Sequence, residues 1–211
     1  MPELRSKIPK RIGVLLSYQS LWEVVFSFYQ IEKNGYMRMA IVLESDGDDC
    51  RKKSIFEEIS RIELAKASEL KIGTLNSLIL TAGKSEFSKL CNFDQVGEAF
   101  VIDHNLRSFL RAVYRRRLPI GAFGYAVPLM VKSIQGITKT GPIVTVGNNP
   151  KLQVGIEAAG AQAITTRPTE VVIDQENKLI TSGGQLASNR PLEVAADCEN
   201  MFIAIREFIK G

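Results

Sequence analysis

The sequence predicts an α/β fold: a doubly wound, mostly parallel sheet with helices on both faces and a β-hairpin in its C-terminal half. Three observations lead there. Short apolar runs such as Ile12–Leu16, Leu75–Leu80 and Leu118–Phe123 read as strands buried on both faces. Segments of helical apolar spacing alternate with them, as when crossover helices join parallel strands. The exception is Val171–Asp174 and Leu179–Ser182, separated by the polar turn Gln175–Lys178, which is a hairpin signal. At 211 residues, 45% of them hydrophobic, the chain can enclose one large core, and no repeat or linker divides it. Residues 1–9 are expected to be an N-terminal extension and residues 10–211 a single domain.

Lys10–Ser17 is the first expected strand. A helix follows over about 20–33, with Leu21, Val24, Val25, Phe28 and Ile31 at helical spacing and a stop at Asn34-Gly35. Tyr36–Leu43 is the second strand. Glu44–Asp49 is an acidic turn without the ligand spacing and terminal glutamate of a calcium loop. Residues 51–70 read as one or two helices, and Leu75–Leu80 as the third strand. That strand ends at Thr81-Ala82-Gly83, the edge where open α/β sheets place their ligands. A short helix is expected around 86–90, and residues 101–117 are amphipathic, with Leu106, Phe109, Leu110 and Val113 on one face. Beyond them come a short strand at 143–146, a helix over 150–159 closed by Gly160, and a connection entered through Ala163–Thr166. A final helix over about 192–209 is expected to pack back onto the sheet.

The run ending at Phe123 and the helical pattern that starts at once behind it leave room for only a very tight turn, with Gly124 at its apex and Tyr125 following. In α/β enzymes such a turn is the nucleophile elbow, where strained backbone lifts a reactive side chain above the sheet. An ordinary buried strand, turn glycine and packed helix fits the same spacing.

Composition excludes several classes of function. No apolar run approaches the roughly 18–20 residues that span a bilayer. Met1–Arg11 is basic but contains Pro2, Glu3 and Pro9 and lacks an apolar stretch, so it is no secretory signal; a targeting peptide removed earlier stays open. The net charge of +4 is mildly basic. Arg51–Lys53 and Arg115–Arg117 read as solvated charge, the second complementing the last turn of a helix. No aromatic residues interleave with them as a base-stacking platform requires, so no nucleic-acid partner is expected. The three cysteines, Cys50, Cys91 and Cys198, are odd in number and far apart, which fits a reducing compartment and neither disulfides nor a zinc site. His104, the single histidine, rules out a histidine metal cluster and reads as a surface or capping residue. Neither a metal nor a cofactor is expected.

Taken together, the segments resemble those of the ElbB-type branch of the ThiJ/PfpI superfamily. The matching pieces include Ile12-Gly13-Val14-Leu15-Leu16-Ser17, Glu23-Val24-Val25, Leu78-Ile79-Leu80 through Gly83, Asn92-Phe93, and Pro119-Ile120-Gly121 with Ala126-Val127-Pro128. The C-terminal third matches best, through Val144–Gly147, Glu157–Ala161 and Val172–Thr181. The resemblance implies a flavodoxin-like fold shared with class I glutamine amidotransferases. It also implies glyoxalase-like chemistry on small carbonyl compounds, in which an elbow cysteine attacks beside a glutamate from the first helix.

Three departures fall on that one site. Glu23 occupies the glutamate position, but Gly124 stands where the resemblance places the cysteine. Thr81-Ala82-Gly83 keeps one glycine, Gly83, of the oxyanion-side loop. The loop from Ser17 to Glu23 is shorter than in the ElbB branch. Tyr125, Cys91, Cys50 and Cys198 offer no convincing substitute nucleophile. The leading expectation is therefore a catalytically inactive domain with a vestigial site at Glu23, Gly124, Tyr125 and Gly83. It would serve as a homodimer or as an accessory subunit of a larger assembly, with the mitochondrial matrix favoured over the cytoplasm. The alternatives are a glyoxalase-like enzyme using Glu23 with an unconventional nucleophile, and a small-molecule-binding module. Trp22, Phe26 and Tyr29 could form an interface or pack in the core. A Gly124→Cys variant is expected to give an easily alkylated thiol.

Overall fold

The computed structural model describes residues 10–17, 19–43, 62 and 64–210. Its centre is a seven-stranded sheet in the order β3-β2-β1-β4-β5-β9-β8. The strands are β1 (Arg11–Leu15), β2 (Met37–Val42), β3 (Leu64–Lys66), β4 (Ser77–Leu80), β5 (Ile120–Phe123), β8 (Val171–Asp174) and β9 (Leu179–Ser182). All neighbours run parallel except β8 and β9, which form the expected hairpin. The direction of winding reverses at β1, the doubly wound arrangement.

Side chains alternate across this sheet and divide the core in two. On one face Ile12 and Val14 of β1, Ile79 of β4 and Phe123 of β5 pack under α1 (Leu21–Lys33) and the C-terminal helix Pro191–Lys210. On the other face Leu15, Leu78, Leu80, Ile120 and Ala122 are covered by a second set of helices. These are α2 (Lys84–Leu90), α3 (Phe93–Val96), α4 (His104–Arg115), α5 (Ala126–Ile134) and α6 (Pro150–Ala158). Helix α4 buries Leu106, Phe109, Leu110 and Val113 as its spacing predicts, and Asp103 caps it by accepting from Leu106 N–H at 2.9 Å. A short helix α7 (Gly184–Ala187) links β9 to the C-terminal helix, here α8.

Two expectations change. The helical reading of 51–70 gives way at Leu64–Lys66 to a strand parallel to β2, where Ala67 N–H donates to Val42 O at 2.9 Å. Edge pairing outweighs local preference there, because a strand of only three residues carries almost no periodicity of its own. The rest of that reading through residue 61, the Glu44–Asp49 turn, Cys50, Arg51–Lys53 and the 1–9 extension lie outside the described residues. The strand expected at 143–146 is β6 (Ile143–Val144). It leaves the main sheet and pairs with β7 (Gln162–Ala163), where a connection was expected, in a separate parallel pair. Among the described residues no helix is long and apolar enough to cross a membrane.

Candidate active site

The tight turn between β5 and α5 is present. Gly124 sits at its apex with φ +46°, inside the left-handed region that glycine tolerates best. Its N–H donates to Ser182 O at 2.9 Å, which ties the turn to the end of β9. Of the predicted site residues, Glu23 lies nearby, buried in the first turn of α1. Ser20 and Glu23 have the spacing of a capping box, yet Ser20 makes no side-chain cap. Glu23 is instead turned toward α7, and its Oε1 accepts the Gln185 N–H at 2.8 Å.

Helix α7 fills the space above the elbow. A Cβ built on Gly124 would lie 3.1 Å from Gly183 O and 3.2 Å from Leu186 Cβ. Gly184, at φ +51°, lies so close to Glu23 that any Cβ would strike Oε1. A thiol at position 124 would therefore project into packed atoms, and the easy alkylation expected from the sequence does not fit this geometry. The oxyanion side is closed as well. The Gly83 N–H donates to Ser17 Oγ at 3.0 Å, and Gln19 Oε1 accepts Ser85 N–H at 2.7 Å. Gln19 also packs so tightly on Gly83 that a Cβ there would clash.

Burial pushes the Glu23 carboxyl up to about 8; the Gln185 N–H and the Ser20 hydroxyl pull it down, and the charge of Asp197 adds to the rise. Among the described residues Oε2 has no hydrogen-bond partner. Asp197, on α8, is the second buried carboxyl of this cluster and was not foreseen. Burial pushes it up to about 6, opposed by the Ser182 hydroxyl and the Gly184 and Thr169 amides and aided by Glu193. The α8 pattern of Val194, Cys198, Met201 and Ile205 marks the buried face, and Asp197 falls on it.

The alternative nucleophiles stay poor. Cys198 Sγ lies 3.7 Å from Glu23 O and 4.0 Å from Ser27 Oγ, nearer the site than its place on the last helix suggested. Burial, Glu23 and Asp197 together hold its thiol well above the ordinary range. Cys91 closes α2 and donates to Phe87 O at 3.2 Å, and burial raises it also. The Tyr125 ring packs on Phe87, with centroids 5.4 Å apart. His104 is exposed, 3.5 Å from Ser108 Oγ. No group of three or more metal-ligating side chains occurs among the described residues. Two surface cavities, of about 250 Å³ beside Gln135–Pro142 and about 430 Å³ between β8 and α8, include none of Glu23, Gly83, Gly124 or Tyr125.

No protein-family profile matches the chain. Solved structures do. An Ehrlichia chaffeensis isoprenoid biosynthesis protein with an amidotransferase-like domain superposes with a TM-score of 0.78 at 15% identity, over 95% of this chain and 99% of that one. The Francisella tularensis Rapid Encystment Protein 24 kDa gives 0.64 at 14% identity, over 95% and 99%. A DJ-1 variant from Schizosaccharomyces pombe gives 0.55 at 12% identity, over 95% and 97%. At such identities the likeness carries the fold, a flavodoxin-like one of the DJ-1/PfpI and amidotransferase-like kind.

Proposed function

We propose that the chain is a catalytically silent relative of the ThiJ/PfpI proteins, close to the ElbB-type branch, kept for its fold and surfaces as a homodimer or as an accessory subunit of a larger, mitochondrial, assembly. The observation that carries this reading is α7 seated on the elbow: Gln185 N–H on Glu23, with Gly183 O and Leu186 against Gly124. A covalent route needs a nucleophile within reach of its base and a donor free to meet an oxyanion. Gly124 has no nucleophile, and the Gly83 N–H is already bound to Ser17. A surface available for association lies on α1, where Leu21, Trp22, Val25 and Tyr29 are exposed and Trp22 stacks on half-buried Phe26 at 5.6 Å.

The test is turnover of methylglyoxal by the purified full chain and its Glu23→Gln and Cys198→Ala variants. The reading expects rates indistinguishable from buffer in all three. Turnover in the unaltered chain that disappears with Glu23→Gln would instead establish the enzyme reading, with Glu23 as its proton-transfer group.

A further inference from the structure

The outer side of α4 carries exposed His104, Asn105, Arg107, Ser108 and Arg115 with half-buried Arg111 among them, and the twelve residues of this helix include no carboxylate. That is unusual in a chain whose 27 basic residues nearly balance 23 acidic ones. Arg107, Arg111 and Arg115 follow one another at intervals of four, so they form a stripe with about 6 Å of rise between neighbours. Arg116 and Arg117 extend it past the helix end: the Arg116 guanidinium lies over Gly73, and Arg117 Nη2 donates to Glu176 O.

Elsewhere among the described residues some basic side chains find acidic partners, as Arg38 does in Glu32 and Lys151 in Asp94. None of the ion pairs found there includes an arginine of this stripe. Arg111 is fixed rather than loose, since its Nε and Nη2 donate to Ser133 O and Gln135 O at 2.8 and 2.7 Å. Partial burial lowers its pKa, and the positive charges of Arg107 and Arg115 lower it further, a repulsion that an anion would relieve. Asp103, which precedes the helix, is engaged as its cap, and Arg117 meets Glu176 through the backbone carbonyl.

We infer that the Arg107–Arg111–Arg115 stripe, with Arg116 and Arg117, is a docking surface for the sugar-phosphate backbone of a double-stranded nucleic acid. The exposed guanidinium groups of Arg107 and Arg115 suit phosphate bidentately, while Arg111, held by two carbonyls, adds its charge from a fixed position between them. A protein partner would want an apolar centre to its interface, and none of the large exposed apolar side chains lies on this helix. The expectation of no nucleic-acid partner rested on absent aromatic residues. Single strands need these for stacking, whereas duplex backbone does not. Arg115, Arg116 and Arg117 directly precede β5 and so lie toward the end of that strand opposite the elbow.

The experiment is fluorescence anisotropy of labelled RNA and DNA duplexes of about 20 base pairs with the full chain, between about 50 and 200 mM salt. Micromolar binding at low salt to either duplex is expected, with a log–log salt slope of about −3 to −4 for four or so phosphates. The Arg107→Glu/Arg115→Glu variant should bind at least ~10-fold more weakly and flatten that slope by about two units. The Lys84→Glu/Lys89→Glu variant, with the same change in net charge on exposed parts of α2, should bind as the unaltered chain does. The inference fails if no duplex binds at 50 mM salt, or if the two variants weaken binding equally. It also fails if polyglutamate displaces duplex at equal charge, because the face would then suit an acidic protein. Circular dichroism of both variants establishes that the fold is kept.

Discussion

Glu23 Oε1 accepts a hydrogen bond from the Gln185 N–H at 2.8 Å across 162 positions of the chain, which joins the first turn of α1 to the helix covering the elbow. The same carboxyl is pushed up to about 8, mainly by burial, so the folded chain holds a proton there that the unfolded chain releases near the ordinary value of 4.5. The sign follows from linkage. Below about pH 4.5 both states are protonated and no cost arises. As pH rises toward 8 the unfolded state is favoured by about 1.4 kcal/mol per unit, and above 8 the cost is constant. Asp197, pushed up to about 6, adds a parallel loss that ends near that pH. Between pH 6 and 8 the slope thus belongs to Glu23. Urea unfolding should show stability falling by roughly 3 kcal/mol over that interval, and Glu23→Gln should flatten the fall. Equal slopes in the two proteins would mean that Glu23 is ionised in the folded chain.

Gly184 tests the fit of α7 against that carboxyl. Its φ of +51° and the clash of any Cβ with Glu23 Oε1 give an added methyl two separate penalties. Gly184→Ala should cost roughly 2–4 kcal/mol, or about 5–15 °C in Tm, measured at pH 6 where the buried Glu23 carboxyl is protonated. A Tm within 2 °C of the unaltered chain would show that α7 is not seated on Glu23.

The elbow itself is tested by alkylation. Gly124→Cys should yield a thiol slow to react with iodoacetamide, because Gly183 O and Leu186 Cβ lie 3.1 and 3.2 Å from where its Cβ would sit. Adding Leu186→Gly should speed the reaction by roughly an order of magnitude by removing that cover. A thiol that reacts quickly in the single variant would place α7 away from the elbow.

The mostly parallel sheet with its hairpin and the tight turn after Phe123 were legible in the sequence because they arise from strong local signals. Phe123 ends an apolar run, Ala126 begins a helix, and only a turn fits between. Glu23 was legible only through the resemblance, which places a glutamate of the first helix at this site; the apolar spacing of that helix did not single it out. What covers the site was not legible. Gly183-Gly184-Gln185-Leu186 falls between the hairpin and the last helix, where the sequence predicts no element. Its single helical turn forms because Ser182 Oγ accepts Gly184 N–H at 3.2 Å and Glu23, distant in sequence, accepts the next amide. β3 was lost for a related reason, since its strand character comes from pairing with Ala40–Val42 and not from Leu64-Ala65-Lys66 alone. Trp22 and Tyr29 were balanced between core and interface. α1 meets α8 where Glu23 and Ser27 lie against Cys198, and that leaves Trp22 and Tyr29 facing outward.

That orientation has a consequence for association. Trp22 and Tyr29 are 44% and 55% exposed, and with Leu21 and Val25 they form a continuous apolar stripe along one helix. Aromatic side chains of this kind dominate the interfaces in which they take part, with truncation often costing 2 kcal/mol or more. Because neither residue belongs to the folded chain's own core, Trp22→Glu/Tyr29→Glu should leave Tm and circular dichroism nearly unchanged. Sedimentation velocity should show the unaltered chain self-associating at micromolar concentration and the double variant sedimenting as a monomer, its dissociation constant raised at least ~100-fold. A variant that unfolds instead would place these rings in the core, and one that associates as well as the unaltered chain would move the subunit contact off α1.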